Sequence, residues 1–313
     1  MENRIDTGSH EKRAAAFTSV VAAIALTMLK LTVGLMTNSL GILAEAAHSA
    51  LDLVAALVTF FAVRVSDKPA DPGHPYGHGK VENLSALFET LLLLVTCVWI
   101  IYESISRLFF RSAEVIPSAW GFVVMGVSIA VDASRSRLLY RTAKKYGSQA
   151  LEADALHFST DIWSSAVVIL GLAGVQLASR SLGLSFLRNT DAIAALVVAA
   201  IVIYVSIQLG VRAVQALLDH APAGLQGEIK RVVEVIPEII DCHHIRIRTS
   251  GPRIFVDVHV TVPGERTLQT AHDLTVEVEE AVRKIAPTAD VTVHAEPASE
   301  AIADGNPATG RLV

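Results

Sequence analysis

In the stretch AEAAHSALDL, Ala44 to Leu53, three ionisable side chains interrupt an apolar run, and no charge follows Asp52 until Arg64. Glu45, His48 and Asp52 are spaced i, i+3, i+7, so on a helix they share one face. A carboxylate at the centre of a lipid-spanning helix costs about 2.5–3.5 kcal/mol on insertion scales. Such groups therefore face water or a protein interior that uses them. A second stretch, ADALHFSTDI from Ala153 to Ile162, repeats the order: acid, two apolar residues, His, three residues, Asp. The pairs are His48/Asp52 and His157/Asp161, each an i, i+4 couple offering one nitrogen and one oxygen from adjacent turns. Brought together, two imidazoles and two carboxylates suit tetrahedral Zn²⁺, whereas Mg²⁺, Ca²⁺ and Mn²⁺ favour oxygen-rich shells. The ionised carboxylates would also cancel the cation's charge in a low-dielectric setting. The bland alternative is that each histidine is a hydrogen-bonded core residue. Glu45 and Asp154 fit better as supporting or proton-handling groups than as direct ligands.

The elements that must position these residues are long and apolar. Hydrophobic residues make up 52% of the 313, mean hydropathy is +0.47, and the apolar runs end near Arg212. About 20 apolar residues cross a bilayer core. Six segments reach that length: Ala14–Met36, Leu40–Val63, Leu84–Phe110, Ile116–Leu139, Ala150–Ala178 and Asp191–Val214. Basic residues gather before the first segment (Arg4, Lys12, Arg13), after the second (Arg64, Lys68, Lys80) and after the fourth (Arg135, Arg137, Arg141, Lys144, Lys145). The other linkers hold only Arg107, Arg111, Arg180 and Arg188, so the positive-inside rule puts both termini in the cytoplasm. The second and fifth segments then cross in opposite senses, as inverted repeats do, with the functional site between them.

After His220 the texture becomes that of a water-soluble fold. PAGLQGEIKRVVEVIP reads as a helix with Pro near its start. HHIRIRTS and RIFVDVHVTV alternate apolar and polar residues around a Gly-Pro turn, LQTAHDLTVEVEEAVRKI is amphipathic, and DVTVHAE is a last strand. The expected division is a cytoplasmic segment 1–13, a six-helix transmembrane domain 14–214, an αββαβ domain 220–297 and a disordered tail 298–313. Cys97 and Cys242 make neither a disulfide framework nor a thiolate site. The polar start MENRIDTGSHEK is unlike a cleavable signal peptide, and no nucleic-acid-binding motif is present.

On its two His-x-x-x-Asp stretches the chain resembles the cation diffusion facilitators, the zinc-type metal/proton antiporters, from Lys12 to about Pro297. The resemblance implies six transmembrane helices in a lipid bilayer and a cytoplasmic αββαβ (ferredoxin-like) domain. It also implies a homodimer and a transport site on His48, Asp52, His157 and Asp161. Some members carry Asp in place of His48, and the His-Asp/His-Asp set is similar to the zinc-selective version. The loop DPGHPYGHGKVE, Asp71 to Glu82, is similar to one that holds a second metal, here on Asp71, His74 and His78. The bland alternative is that His74 and His78 are a surface pair.

His243, His259, His272 and His294 match the family's HxxR, xHV, AHD and VHxxP motifs, which implies a binuclear metal site at a dimer contact. Glu296 stands where some members have Asp. Without the resemblance these histidines read as ordinary domain residues. Strand alternation sends His244 to the face opposite His243, outside the cluster. Lys80 and Asp219 match a charge interlock between helices; the alternative is that both are solvated, with Lys80 snorkelling. A histidine-rich insert is missing, since RTAKKYGSQALEA holds none.

The expected activity is zinc export from the cytoplasm, coupled to proton antiport. Binding needs neutral imidazole and ionised carboxylate, so metal and protons expel one another. Efflux of iron, cobalt, cadmium, nickel or manganese by the same mechanism is the alternative. An intramembrane metalloprotease would need an H-E-x-x-H helix, which is absent. A membrane-anchored metal sensor is the reading from a different class, and the intramembrane ligand pairs argue against it. The expected location is the bacterial inner membrane.

Overall fold

In hydrocarbon a backbone must satisfy its own hydrogen bonds, and apolar runs of this length do so as helices. The computed structural model describes residues 2–38, 40–109, 119–178 and 190–298. It divides into two units, Met1–Val214 and Gln215–Val313. The first unit is built from α1 (Glu2–Thr37), α2 (Leu40–Ser66), α3 (Lys80–Phe109), α4 (Ala119–Tyr146), α5 (Gln149–Ala178) and α6 (Thr190–Leu217), the last running just past the boundary. Among the described residues four helical stretches are long and apolar enough to cross a membrane: Gly8–Thr37, Glu45–Ser66, Lys80–Ser106 and Leu196–Leu217.

Large apolar side chains such as Phe17, Met28, Leu35, Val95, Trp99 and Tyr204 are exposed, while much of the interior is alanine. Ala15, Ala16, Ala23, Ala55, Ala56, Ala153 and Ala155 are all buried. That inversion of a soluble protein's pattern fits lipid outside and close helix packing inside, where small residues let backbones approach. α1 packs on α2 and α4, α5 on α3 and α4, and α2 also meets α5. Gly34 shows how close the α1–α2 approach is. A Cβ there would lie 2.8 Å from Leu43 Cδ2 and 3.2 Å from the Leu43 backbone nitrogen, so any larger residue would push Leu43 aside.

The second unit contains α7 (Leu225–Val233), β1 (Asp241–Ser250), β2 (Arg253–Val262), α8 (Leu268–Ile285) and β3 (Ala289–Pro297). The sheet order is β1-β2-β3, antiparallel then parallel, with α8 as the crossover between the parallel pair. Val256, Val258 and Val260 are fully buried in a core with Ile229, Val233, Val278 and Val282. Their period of two turns Asp257 and His259 to the other face. Thr267 caps α8, its hydroxyl accepting from the Thr270 backbone N–H at 3.2 Å. The αββαβ order read from the sequence is present. The tail expected to be disordered lies outside the described residues from 299 onward.

Candidate metal centres

α2 and α5 each carry a histidine and an aspartate one turn apart, and the two pairs meet. His157 Nε2 lies 3.1 Å from Asp52 Oδ1 and 3.7 Å from Asp161 Oδ2. His48 Nε2 lies 3.8 Å from Asp52 Oδ1 and 3.6 Å from Asp161 Oδ1. A tetrahedral zinc with bonds of about 2.0–2.1 Å sets its ligand atoms roughly 3.3 Å apart. The donors therefore already stand near the edges of such a tetrahedron. His48, Asp52 and Asp161 present donor atoms all within 4.8 Å of one another, and His157 joins them through both carboxylates. The His157, Asp52 and Asp161 side chains are only 2%, 11% and 13% exposed, whereas His48 is 37% exposed, so the cluster is closed on one side and open on the other.

The acids expected to support the site make their contacts with other side chains. Glu45 is paired with Lys30, whose Nζ is 3.2 Å from Glu45 Oε2 and donates to Ser49 Oγ at 2.8 Å. Asp154 is fully buried and accepts from Ser19 Oγ at 3.4 Å. Ser19 in turn accepts from Arg135 at 3.1 Å, and the same guanidinium pairs with Asp132 at 3.1 Å and stacks 3.5 Å above the Phe158 ring. Arg135, which the sequence groups with a cytoplasmic linker, is thus buried within α4, because two acceptors and an aromatic face hold it there. On α3, Glu89 is fully buried and accepts from Thr59 Oγ1 at 2.9 Å. Sequence reasoning does not single out Lys30, Arg135 or Glu89 for the site. The available signal is a lone Lys30 in the middle of an apolar run, with no other lysine or arginine between Arg13 and Arg64.

A second cluster lies in the loop between α2 and α3. The Asp71 carboxylate accepts backbone N–H bonds from Gly73 at 2.9 Å and His74 at 2.7 Å. His74 Nδ1 is 3.2 Å and His78 Nε2 3.3 Å from its two oxygens, and the two rings stand 4.3 Å apart. The His74 backbone N–H, with further bonds behind it, holds the Asp71 carboxyl below the usual carboxylate range. Gly77, at φ 76°, supplies the backbone turn that returns His78 to Asp71.

In the second unit, register aligns His243 on β1 with His259 on β2, and His259 with His294 on β3. Glu296 stands two residues on from His294, on the same face. Its Oε1 is 2.8 Å from His259 Nδ1 and 3.7 Å from His294 Nε2, and its Oε2 is 3.4 Å from His243 Nε2. The His259 hydrogen bond, more than the other imidazoles, holds the Glu296 carboxyl below its ordinary range. His272 lies exposed on α8, outside these groups.

His244 corrects the alternation reading. A register shift between His243 and Arg246, with His244 at φ 47°, breaks the strand's period of two. The His244 ring ends 5.0 Å from His243 and 5.2 Å from His259. Of the interlock pair, Lys80 opens α3 and Asp219, at φ 59°, follows α6 in the second unit.

Comparison with known proteins gives two adjacent matches. Residues 16–218 match the cation efflux transmembrane domain, and residues 221–298 match the cytoplasmic domain of cation efflux proteins. The chain is 32% identical over 291 residues to the cation-efflux pump FieF of Yersinia enterocolitica, covering 91% of this chain and 92% of the relative. It is 30% identical over 299 residues to FieF of Salmonella schwarzengrund, covering 93% and 94%. Among solved structures, the metal-bound C-terminal domain of the CzcD transporter from Thermotoga maritima is similar at 31% identity. That match covers 26% of this chain and 91% of that one, with a TM-score of 0.23.

Proposed function

The chain belongs to the cation diffusion facilitator family, integral membrane secondary transporters of divalent cations and not enzymes, and we propose that its cargo is zinc, exported from the cytoplasm in exchange for protons. One observation carries the reading: between α2 and α5, His48 and His157 each lie 3.1–3.8 Å from carboxylate oxygens of both Asp52 and Asp161. Two imidazoles with two carboxylates favour zinc, and the paired aspartates neutralise its charge. Iron, cobalt, cadmium, nickel and manganese are the competing cargoes, and a shell with half its donors nitrogen is least suited to manganese.

Each pair sits at the ninth and thirteenth residues of its helix, roughly 12 Å from the helix start at 1.5 Å per residue. With six spans and both termini in the cytoplasm, α2 and α5 enter from opposite sides and their pairs meet near the midplane. That is the placement expected of a transport site shared by inverted repeats. Because the ligands bind metal only when deprotonated, a proton taken from the far side displaces the cation, and coupling needs no further device. Residues 14–214 form the transport unit in this reading, and 220–297 form a cytoplasmic unit through which two copies pair. The Asp71/His74/His78 loop and the His243/His259/His294/Glu296 sheet face bind regulatory metal there. His272 supplies its imidazole at the dimer contact. The membrane is a bacterial inner membrane.

The test is uptake by reconstituted protein of zinc, cadmium, iron, cobalt, nickel and manganese side by side, with lumenal pH followed by a fluorescent dye. Zinc is expected to move fastest and to draw protons out of an acidic lumen. Metal movement with no proton signal would overturn the antiport reading, and manganese moving faster than zinc would overturn the cargo.

A further inference from the structure

We infer that His244 is a further metal ligand on the second unit, forming with His243 and His259 a nitrogen-rich subsite that takes a late first-row divalent cation such as nickel, copper, cobalt or zinc. The family resemblance assigns no role to His244, and the inference does not depend on what the membrane unit transports. Three observations carry it. One nitrogen from each of the three rings lies within 4.8 Å of the others. Ring centroids are 5.0 Å apart for His243 and His244, 5.2 Å for His244 and His259, and 5.7 Å for His243 and His259.

The third observation is the backbone. His244 sits at φ 47°, a conformation that costs a residue with a Cβ and that glycine or asparagine adopts more readily. If the chain needed only the turn, either would serve. Histidine is itself enriched in this region, so what matters is where the turn places the ring. The bulge also does the placing. In a regular strand His243 and His244 would point to opposite faces, and here both reach the His259 side.

The subsite differs chemically from its neighbour, His259/His294/Glu296, which includes a carboxylate. Three imidazoles make it richer in nitrogen than that neighbour, with Asp241 Oδ2 3.0 Å from His243 Nδ1 and Glu296 Oε2 3.4 Å from His243 Nε2. Nickel and copper gain most from such a set, and manganese and magnesium least. His259 belongs to both groups. Its Nδ1 faces Glu296, and an imidazole has a second nitrogen to offer. The two subsites are therefore neighbours sharing one ring, with different metal preferences.

The experiment uses the full-length chain in detergent carrying His48→Ala, His157→Ala, His74→Ala and His78→Ala, which silences the membrane and loop clusters. One equivalent of Cu²⁺ is added and the bound nitrogens are counted from the hyperfine pattern in electron paramagnetic resonance. Ni²⁺ and Mn²⁺ affinities are read by calorimetry. His244→Gly keeps the positive φ at no steric cost while removing the ring. It is expected to leave the melting temperature unchanged or higher, lower the copper nitrogen count from three to two, and weaken nickel at least about tenfold. Manganese binding is expected not to change. In the otherwise unaltered chain the same substitution is expected to remove one tight nickel equivalent. A copper spectrum and a nickel affinity that do not change in His244→Gly would overturn the assignment and leave the bulge as a backbone feature alone.

Discussion

Lys30 holds a positive charge beside a site built to accept one. Its ammonium contacts Glu45 and Ser49, so Glu45's negative charge is offset and the cluster's formal charge comes from Asp52 and Asp161. Lys30→Gln leaves the Glu45 charge uncompensated next to His48. Zinc is expected to bind more tightly and leave more slowly, lowering both KM and the maximal transport rate roughly fivefold, in the way nearby charge alters ion binding. Lys30→Gln/Glu45→Gln is expected to recover most of both constants. Unchanged kinetics in the single variant would show that the ammonium has no influence on the cation. His48 acts on selectivity. His48→Asp makes the shell harder, with three carboxylates and one imidazole, and acceptance is expected to widen toward cadmium, iron or manganese. Competition of each metal against zinc uptake measures this, and an unaltered metal ranking would place selectivity elsewhere.

At the scale of elements, a buried charge network joins the helix ends on the side of the Asp71 loop. Lys12 Nζ lies 2.7 Å from Asp67 and 2.9 Å from Glu82. Glu82 also accepts from Ser66 at 2.9 Å and from Ser148, and Asp67 accepts from Ser9 at 2.7 Å. One set of contacts thus ties α1, the end of α2, the start of α3 and the turn into α5. Lys12→Met takes the ammonium from buried Glu82, while Asp67 keeps Arg13 at 3.2 Å, and breaking such a buried pair costs about 3–5 kcal/mol. A clear drop in melting temperature in detergent is expected, partly reversed by adding Glu82→Gln. No drop would mean that the network is replaceable. The helices are legible in the sequence because an apolar run of about 20 residues matches the thickness of a bilayer core. The αββαβ order is legible through periods of two and 3.6. Lys12 and Arg135 read as linker charges, since near the end of an apolar run a basic residue that is buried and paired looks the same in sequence as one in water. Arg111, Arg180 and Arg188, also used to orient the chain, lie outside the described residues. The four clustered side chains between α2 and α5 are legible because His-x-x-x-Asp recurs. The placement of His244 is not, because a bulge depends on pairing with β2 and leaves no glycine as a signal.

At the scale of the molecule, the second unit has its own valine-rich core and cap, so residues 220–298 alone are expected to melt cooperatively. Zinc is expected to raise that melting temperature and to double the molecular mass in solution. The gain should shrink between pH 8 and pH 6, because the ligands must shed protons to bind metal. Glu296, whose carboxyl is held below its usual range by His259, stays ionised through that window, and its contribution fades only at more acid pH. The loss from pH 8 to 6 therefore belongs to the imidazoles, and a zinc effect that does not vary across that range would contradict the ligand set. The central claim is that one cluster between α2 and α5 carries the cargo across. Its most direct test is zinc uptake into proteoliposomes with an acidic lumen, comparing wild type with Asp52→Ala and Asp161→Ala at equal amounts of folded protein. Each aspartate supplies both a ligand and a compensating charge, so flux is expected to fall to the level of protein-free vesicles in either variant. Undiminished zinc flux in both would contradict the site.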